Sequence, residues 1–121
     1  AYNNKTSENV KKAEKKAKDM LFRVNLPDSD IIMKSYPHQL SGGMKQRVGI
    51  AMALTFHPKI ILADEPTGNL DTETSLVINN LFKKINEEKK QSIIIVTHSL
   101  ELANLAEYKY KIEKGEFNKV L

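Results

Sequence analysis

Two short apolar runs, Ile60-Ile61-Leu62-Ala63 and Ile93-Ile94-Ile95-Val96, constrain this chain more than any other feature. Each has the length of a buried strand, and neither alternates apolar with polar residues. Strands apolar on both faces belong to parallel sheets covered on both sides. Between the runs, Val77, Ile78, Leu81, Phe82 and Ile85 recur at helical spacing. They predict a helix over 72–88 with these residues inward and Asp71 or Thr72 as cap. Strand, helix and strand in that order form a crossover unit, so the fold class is α/β.

The flanks fill in around this unit. Val10, Ala13, Ala17, Met20, Leu21 and Val24 predict an amphipathic helix over 7–24, with lysines on its other face and Leu26-Pro27-Asp28 as its stop. A short helical turn over 29–34 precedes an extended step at Tyr36-Pro37. Ser41 is a natural N-cap for a helix over 44–55, which His57-Pro58 closes. After a strand over 92–97, Ser99 caps a short helix over 100–106. Segments 108–112 and 117–121 read as a hairpin around Lys114-Gly115-Glu116. The expected organisation is a helical part over 1–57 and a strand-bearing part over 58–121.

A length of 121 residues suits one domain or a piece of one, and the opening at Ala1 rather than Met favours a piece. With 40% hydrophobic and 28% charged residues the composition is that of a globular protein, not a disordered tail or collagen-like chain. No run approaches the roughly 18 apolar residues of a membrane span. The absence of cysteine excludes disulfides and thiolate metal sites. The net charge of +4 invites a nucleic-acid reading, but residues 1–20 alone hold six lysines against three acids, leaving +1 for the other 101. The basicity belongs to one helix face, and no nucleic-acid partner is expected.

Four features carry chemistry. Asp64-Glu65 ends an apolar strand, where α/β sheets bind ligands. One such acid can hold Mg²⁺ through water, and its neighbour can act as general base; a strand simply ending at a polar surface looks the same. Ser41-Gly42-Gly43 opens a helix, and its free N–H groups and hydroxyl suit a phosphate, though a flexible turn with a Ser cap explains it equally. His98 follows the second strand and shares the sheet edge of Asp64-Glu65 if the strands are parallel; a surface histidine is the plainer reading. Asp71 either serves the same edge or caps the next helix.

One family explains the order and spacing of all four. Tyr36-Pro37-His38-Gln39-Leu40-Ser41-Gly42-Gly43-Met44-Lys45-Gln46-Arg47 resembles the signature motif of ATP-binding cassette (ABC) proteins. Ile60-Ile61-Leu62-Ala63-Asp64 resembles their Walker B strand, and Glu65 falls where the catalytic glutamate sits. Gly68-Asn69-Leu70-Asp71 resembles the D-loop, and Thr97-His98 the switch histidine. The resemblance runs from about Met20 to Gly115. The lead-in from Leu26 to Gln39 is similar to oligopeptide and nickel importer ATPases, whereas the stretch from Ala63 to Asp71 is closer to the lipoprotein-release and macrolide-export group. Ser99 stands where an acid often follows the histidine.

The resemblance implies a partial P-loop NTPase (RecA-like) core with parallel strands, preceded by the end of an α-helical subdomain. It implies an ATPase subunit of a transporter, with ATP and Mg²⁺, on the cytoplasmic face of the cell membrane as a peripheral protein. Expected partners are a second nucleotide-binding domain, paired head to tail, and membrane-spanning subunits. Glu65 and His98 would be catalytic, Asp64 would serve the metal, and Leu40, Ser41, Gly42, Gly43 and Asp71 would contact nucleotide. Signature and Walker B groups of one chain would serve two different nucleotides.

None of the five glycines is followed by lysine, so these 121 residues hold no P-loop, G-x-x-x-x-G-K-[ST]. They are therefore expected to be a fragment, inactive alone. The strand 93–96 would lack its P-loop neighbour, and self-association through that edge is expected. Two other readings differ in what surrounds the motifs. A DNA-repair or chromosome-maintenance ATPase head would show a long heptad coiled coil before the signature, and 7–24 is too short for one. A non-enzymatic module lending its signature loop to a partner would have its start codon at or just before Ala1.

Overall fold

The computed structural model describes residues 2–26 and 28–120, with side chains described for 7–26, 28–88 and 90–120. Two compact units divide the chain, Ala1–Pro58 and Lys59–Leu121.

In the first unit, α1 (Tyr2–Arg23) packs against α3 (Gly42–Thr55), with the short α2 (Ser29–Lys34) and a 3₁₀ turn (Pro37–Gln39) between them in sequence. Only the end of α1 is buried: Met20, Leu21 and Val24 are inward, while Val10 is half exposed and Ala13 exposed, so the packed face is shorter than the periodicity predicts. The predicted stop at Pro27 lies outside the described residues. The helix is ended earlier, by Asn25 in the left-handed region at φ 63. The Asn25 N–H donates to the Phe22 carbonyl (3.1 Å) and the Leu26 N–H to the Leu21 carbonyl (2.9 Å). That pair of bonds is a Schellman motif, sealed by the buried side chains of Leu21 and Leu26. Lys18 Nζ meets Asp30 Oδ1 at 2.7 Å, joining α1 to α2. Hydrogen bond and charge hold the Lys18 ammonium above its usual range and the Asp30 carboxyl below its own. Ile50, Ala51 and Leu54 of α3 complete the buried set.

In the second unit, β1 (Ile60–Asp64) and β2 (Ser92–Val96) pair in parallel, in a register running from Ile60 opposite Ser92 to Asp64 opposite Val96. The crossover helix α4 (Thr72–Lys89) lies against β2 and buries Ile78, Leu81, Phe82 and Ile85. Val77, expected inward, is 38% exposed, since it sits off the stripe those four define. Asn79 is buried on the same helix, and its Oδ1 has no hydrogen-bond partner. A four-residue α5 (Leu100–Ala103) replaces the longer helix expected to 106. The hairpin β3 (Lys109–Glu113) and β4 (Glu116–Val120) is antiparallel. Positive φ at Lys114 (49) and Gly115 (78) gives the turn its primed form, which matches the twist of the strands it joins.

The strands are where expectation and structure part. They were expected to be buried on both faces, yet Ile60, Leu62, Ile94 and Val96 are each more than half exposed. These four share one face, because alternate residues of paired strands point the same way. Ile61 is buried and Ala63, Ile93 and Ile95 half-buried on the other. One helix covers one face, and among the described residues nothing covers the second. Among the described residues β2 has β1 as its sole neighbour, in a two-stranded sheet.

Candidate functional site

The first unit carries the Ser41-Gly42-Gly43 segment. Tyr36 is extended, so Pro37 enters the 3₁₀ turn without a clash, and the Tyr36 N–H donates to Gln39 Oε1 at 2.8 Å. Leu40 is extended and half-buried, turning the chain into Ser41. The Ser41 hydroxyl accepts from the Met44 N–H (3.2 Å), and its carbonyl accepts from the Lys45 N–H (2.9 Å). Helix α3 thus starts at Gly42, two residues before the predicted start, and the Gly42 and Gly43 amides stand in its open first turn. Gly42 is exposed and Gly43 buried. Arg47, read in the sequence only as part of a motif, pins this turn. Its Nε donates to the Gly43 carbonyl (3.3 Å) and its Nη1 to the Asn25 carbonyl (3.2 Å). The loop that ends α1 is thereby tied to the loop that starts α3.

The second unit brings together Asp64, Glu65 and His98 at the carboxyl ends of β1 and β2. The parallel register puts Asp64 opposite Val96, so the residues that follow each strand emerge side by side. Asp64 is exposed. Glu65 takes φ 44, an uncommon conformation for a residue with a side chain, costing on the order of 1 kcal/mol. What holds it there is the end of β2. The Glu65 N–H donates to the Val96 carbonyl (2.8 Å), and its Oε1 accepts from the His98 N–H (2.8 Å). Its Oε2 accepts from the Thr97 hydroxyl at 3.4 Å. His98 Nε2 lies 3.6 Å from Glu65 Oε1, with the imidazole fully exposed.

Glu65 and His98 line an open cleft of about 630 Å³ with Thr67, Gly68, Asn69, Leu70, Thr72, Ser75, Ser99 and Glu101; Asp64 is not part of its lining. Asp71 stands at its edge as the cap of α4, its Oδ1 accepting from the Thr74 N–H (3.2 Å). Sequence reasoning missed Thr97 as a partner of Glu65. The signal available was a hydroxyl residue directly before the histidine at a strand end. Among the described residues no cluster of three or more His, Asp or Glu could cage a metal. Asp64 offers a single exposed carboxylate, a donor set that fits Mg²⁺ held mainly by waters and phosphates rather than by protein.

A strand-ending acid pair, a histidine after the neighbouring parallel strand and a glycine-rich helix start are the features on which the resemblance to ABC proteins rests. The family model for ABC transporters matches residues 1–68, more than half of the chain, and the chain belongs to that family. It is 47% identical over 107 residues to an uncharacterised ABC transporter ATP-binding protein of Methanocaldococcus jannaschii, covering 88% of this chain and 46% of that protein. It is 46% identical over 110 residues to the lipoprotein-releasing system ATP-binding protein LolD of Bdellovibrio bacteriovorus, covering 91% of this chain and 49% of LolD. The chain therefore spans about half the length of the curated relatives it matches. Among solved structures it resembles the dimeric ABC transporter cassette MJ0796, with a TM-score of 0.72 and 42% identity over 85% of this chain and 44% of that one. The post-hydrolysis dimer of the same cassette, bound to ADP and Pi, gives a TM-score of 0.71 at 39% identity, covering 87% of this chain and 46% of that one. The fold is that of the ABC ATPase cassette, with its parallel strands in β1 and β2.

Proposed function

We propose that these residues are the signature-to-histidine half of an ATP-hydrolysing transporter subunit, working as a head-to-tail dimer. The observation that supports this reading is that Glu65 and His98 face one cleft at the carboxyl ends of β1 and β2, with Asp64 at the end of β1. Glu65 acts as the base that takes a proton from the attacking water. A carboxylate has about four lone-pair positions, and the two hydrogen bonds it accepts leave others for that proton. His98, its imidazole exposed, contacts the terminal phosphate. Asp64 would hold a Mg²⁺ ion, which would supply positive charge against the phosphates. Ser41, Gly42 and Gly43, with Leu40 shaping the turn before them, receive the terminal phosphate of the nucleotide bound to the second subunit. Asp71 supports the facing loop. Two structures of the similar cassette MJ0796 are dimeric, one bound to ADP and Pi, which supports both the pairing and the substrate class.

The importer-like lead-in and the exporter-like stretch from Ala63 to Asp71 share this ATPase step, and the cargo is set by the membrane-spanning subunits. No helix of the described residues is long and apolar enough to cross a membrane. The subunit's place is at the cytoplasmic face, docked on those partners.

The 121 residues alone lack the lysine and glycine loop that would cradle phosphates, and their sheet has an open edge at β2. By themselves they are expected to hydrolyse no ATP and to self-associate through Ile93-Ile94-Ile95-Val96. Calorimetry with ATP and light scattering on this chain check both. Micromolar ATP binding contradicts the first expectation, and a monomer at high concentration the second.

A further inference from the structure

Glu65 is held by three consecutive residues of one strand end: the Val96 carbonyl, the Thr97 hydroxyl and the His98 amide. Two of these are backbone groups that every sequence would supply. Thr97 supplies the one side-chain hydrogen bond among them and is half-buried, while the exposed His98 imidazole lies 3.6 Å from Glu65 Oε1. Its Oγ1 also accepts from the Ser99 N–H at 3.0 Å. That second bond matters for the first. A hydroxyl has one hydrogen and two lone pairs. With the Ser99 amide occupying a lone pair, the hydrogen is turned away from Ser99 and towards Glu65 Oε2. Ser99 in turn caps α5 through its own hydroxyl, which accepts from the Leu102 N–H (3.3 Å). The carboxylate is thus aimed by a relay running from the start of α5 through Thr97.

We infer that Thr97 is a positioning residue for Glu65, fixing the rotation of a carboxylate whose backbone is already in an uncommon conformation. It touches neither nucleotide nor water in this role and acts through Glu65 alone. The inference rests on Glu65 being the base. Valine matches the shape of threonine without the hydroxyl, and serine keeps the hydroxyl without the methyl.

Steady-state ATP hydrolysis by the full-length protein tests this. Thr97→Val is expected to lower kcat about tenfold, the rate equivalent of one hydrogen bond to a charged group, with KM for ATP unchanged. Thr97→Ser is expected to restore most of kcat. Added to Glu65→Gln, Thr97→Val is expected to cost nothing further, because the group it aims is already gone. A Thr97→Val protein with wild-type kcat, a Thr97→Ser protein as slow as Thr97→Val, or a full extra tenfold loss on the Glu65→Gln background would each overturn the role of Thr97. Wild-type turnover in Glu65→Gln alone would instead remove the base assignment beneath it.

Discussion

Glu65→Gln in the full-length protein is expected to lower ATP turnover by about 10²–10⁴, the usual worth of a positioned base. ATP affinity should stay within about twofold. The structure explains why this exchange isolates chemistry from folding. The Gln side-chain oxygen can still accept from the His98 N–H, the 2.8 Å bond that Glu65 Oε1 now receives. The Glu65 N–H bond to Val96 does not depend on the side chain at all. What disappears is the capacity to take a proton, together with the oxygen that accepts from the Thr97 hydroxyl. Phosphate release measured beside nucleotide binding separates the two. A protein that binds ATP normally and turns it over at the wild-type rate would show that another group is the base.

Ile78→Ala is expected to destabilise the protein by about 2–5 kcal/mol, the range for emptying a well-packed aliphatic site. Ile78 is fully buried on α4, beside Leu81 at 1% and Phe82 at 4% exposure. Truncation leaves a cavity among buried side chains, on a helix that lies against β2. Leu76, on the same helix but 48% exposed, is the matched control, and Leu76→Ala should change stability by no more than about 0.5 kcal/mol. Urea unfolding of both variants reads the difference as a shift in midpoint at constant slope. Equal midpoints would mean that α4 is not anchored by Ile78.

Much of this architecture was legible in the sequence, for reasons that are local. Both core strands and the caps at Ser41, Asp71 and Ser99 follow from short-range chemistry, a run of apolar residues or a hydroxyl or carboxylate within reach of an amide. The site edge was legible because a parallel pairing needs only the strand-helix-strand order to put Asp64-Glu65 beside Thr97-His98. What was not legible depends on tertiary environment. Apolar strands look buried in any sequence, and only the fold shows that Leu62 and Ile94 face solvent on the side α4 does not cover. The end of α1 is set by Asn25 in a left-handed conformation, a choice weaker in sequence than the proline that follows. Val10 and Ala13 continue a helical stripe yet are exposed among the described residues. The aim of Glu65 comes from hydrogen bonds across 32 and 33 residues, beyond any window of periodicity.

The central claim is that Gly42 and Glu65 of one chain serve different nucleotides. Mixing two crippled full-length proteins tests it most directly. Gly42→Asp places a carboxylate where a phosphate is proposed to sit, and the first turn of a helix accepts an acid without loss of folding. Glu65→Gln removes the base. In a head-to-tail dimer, a mixed pair holds one site with both defects and one with neither. The account predicts that each protein is inactive alone and that the mixture hydrolyses ATP well above the sum of the two. A mixture no more active than its parts, in a sample shown to exchange subunits, would contradict it and put both groups at one site.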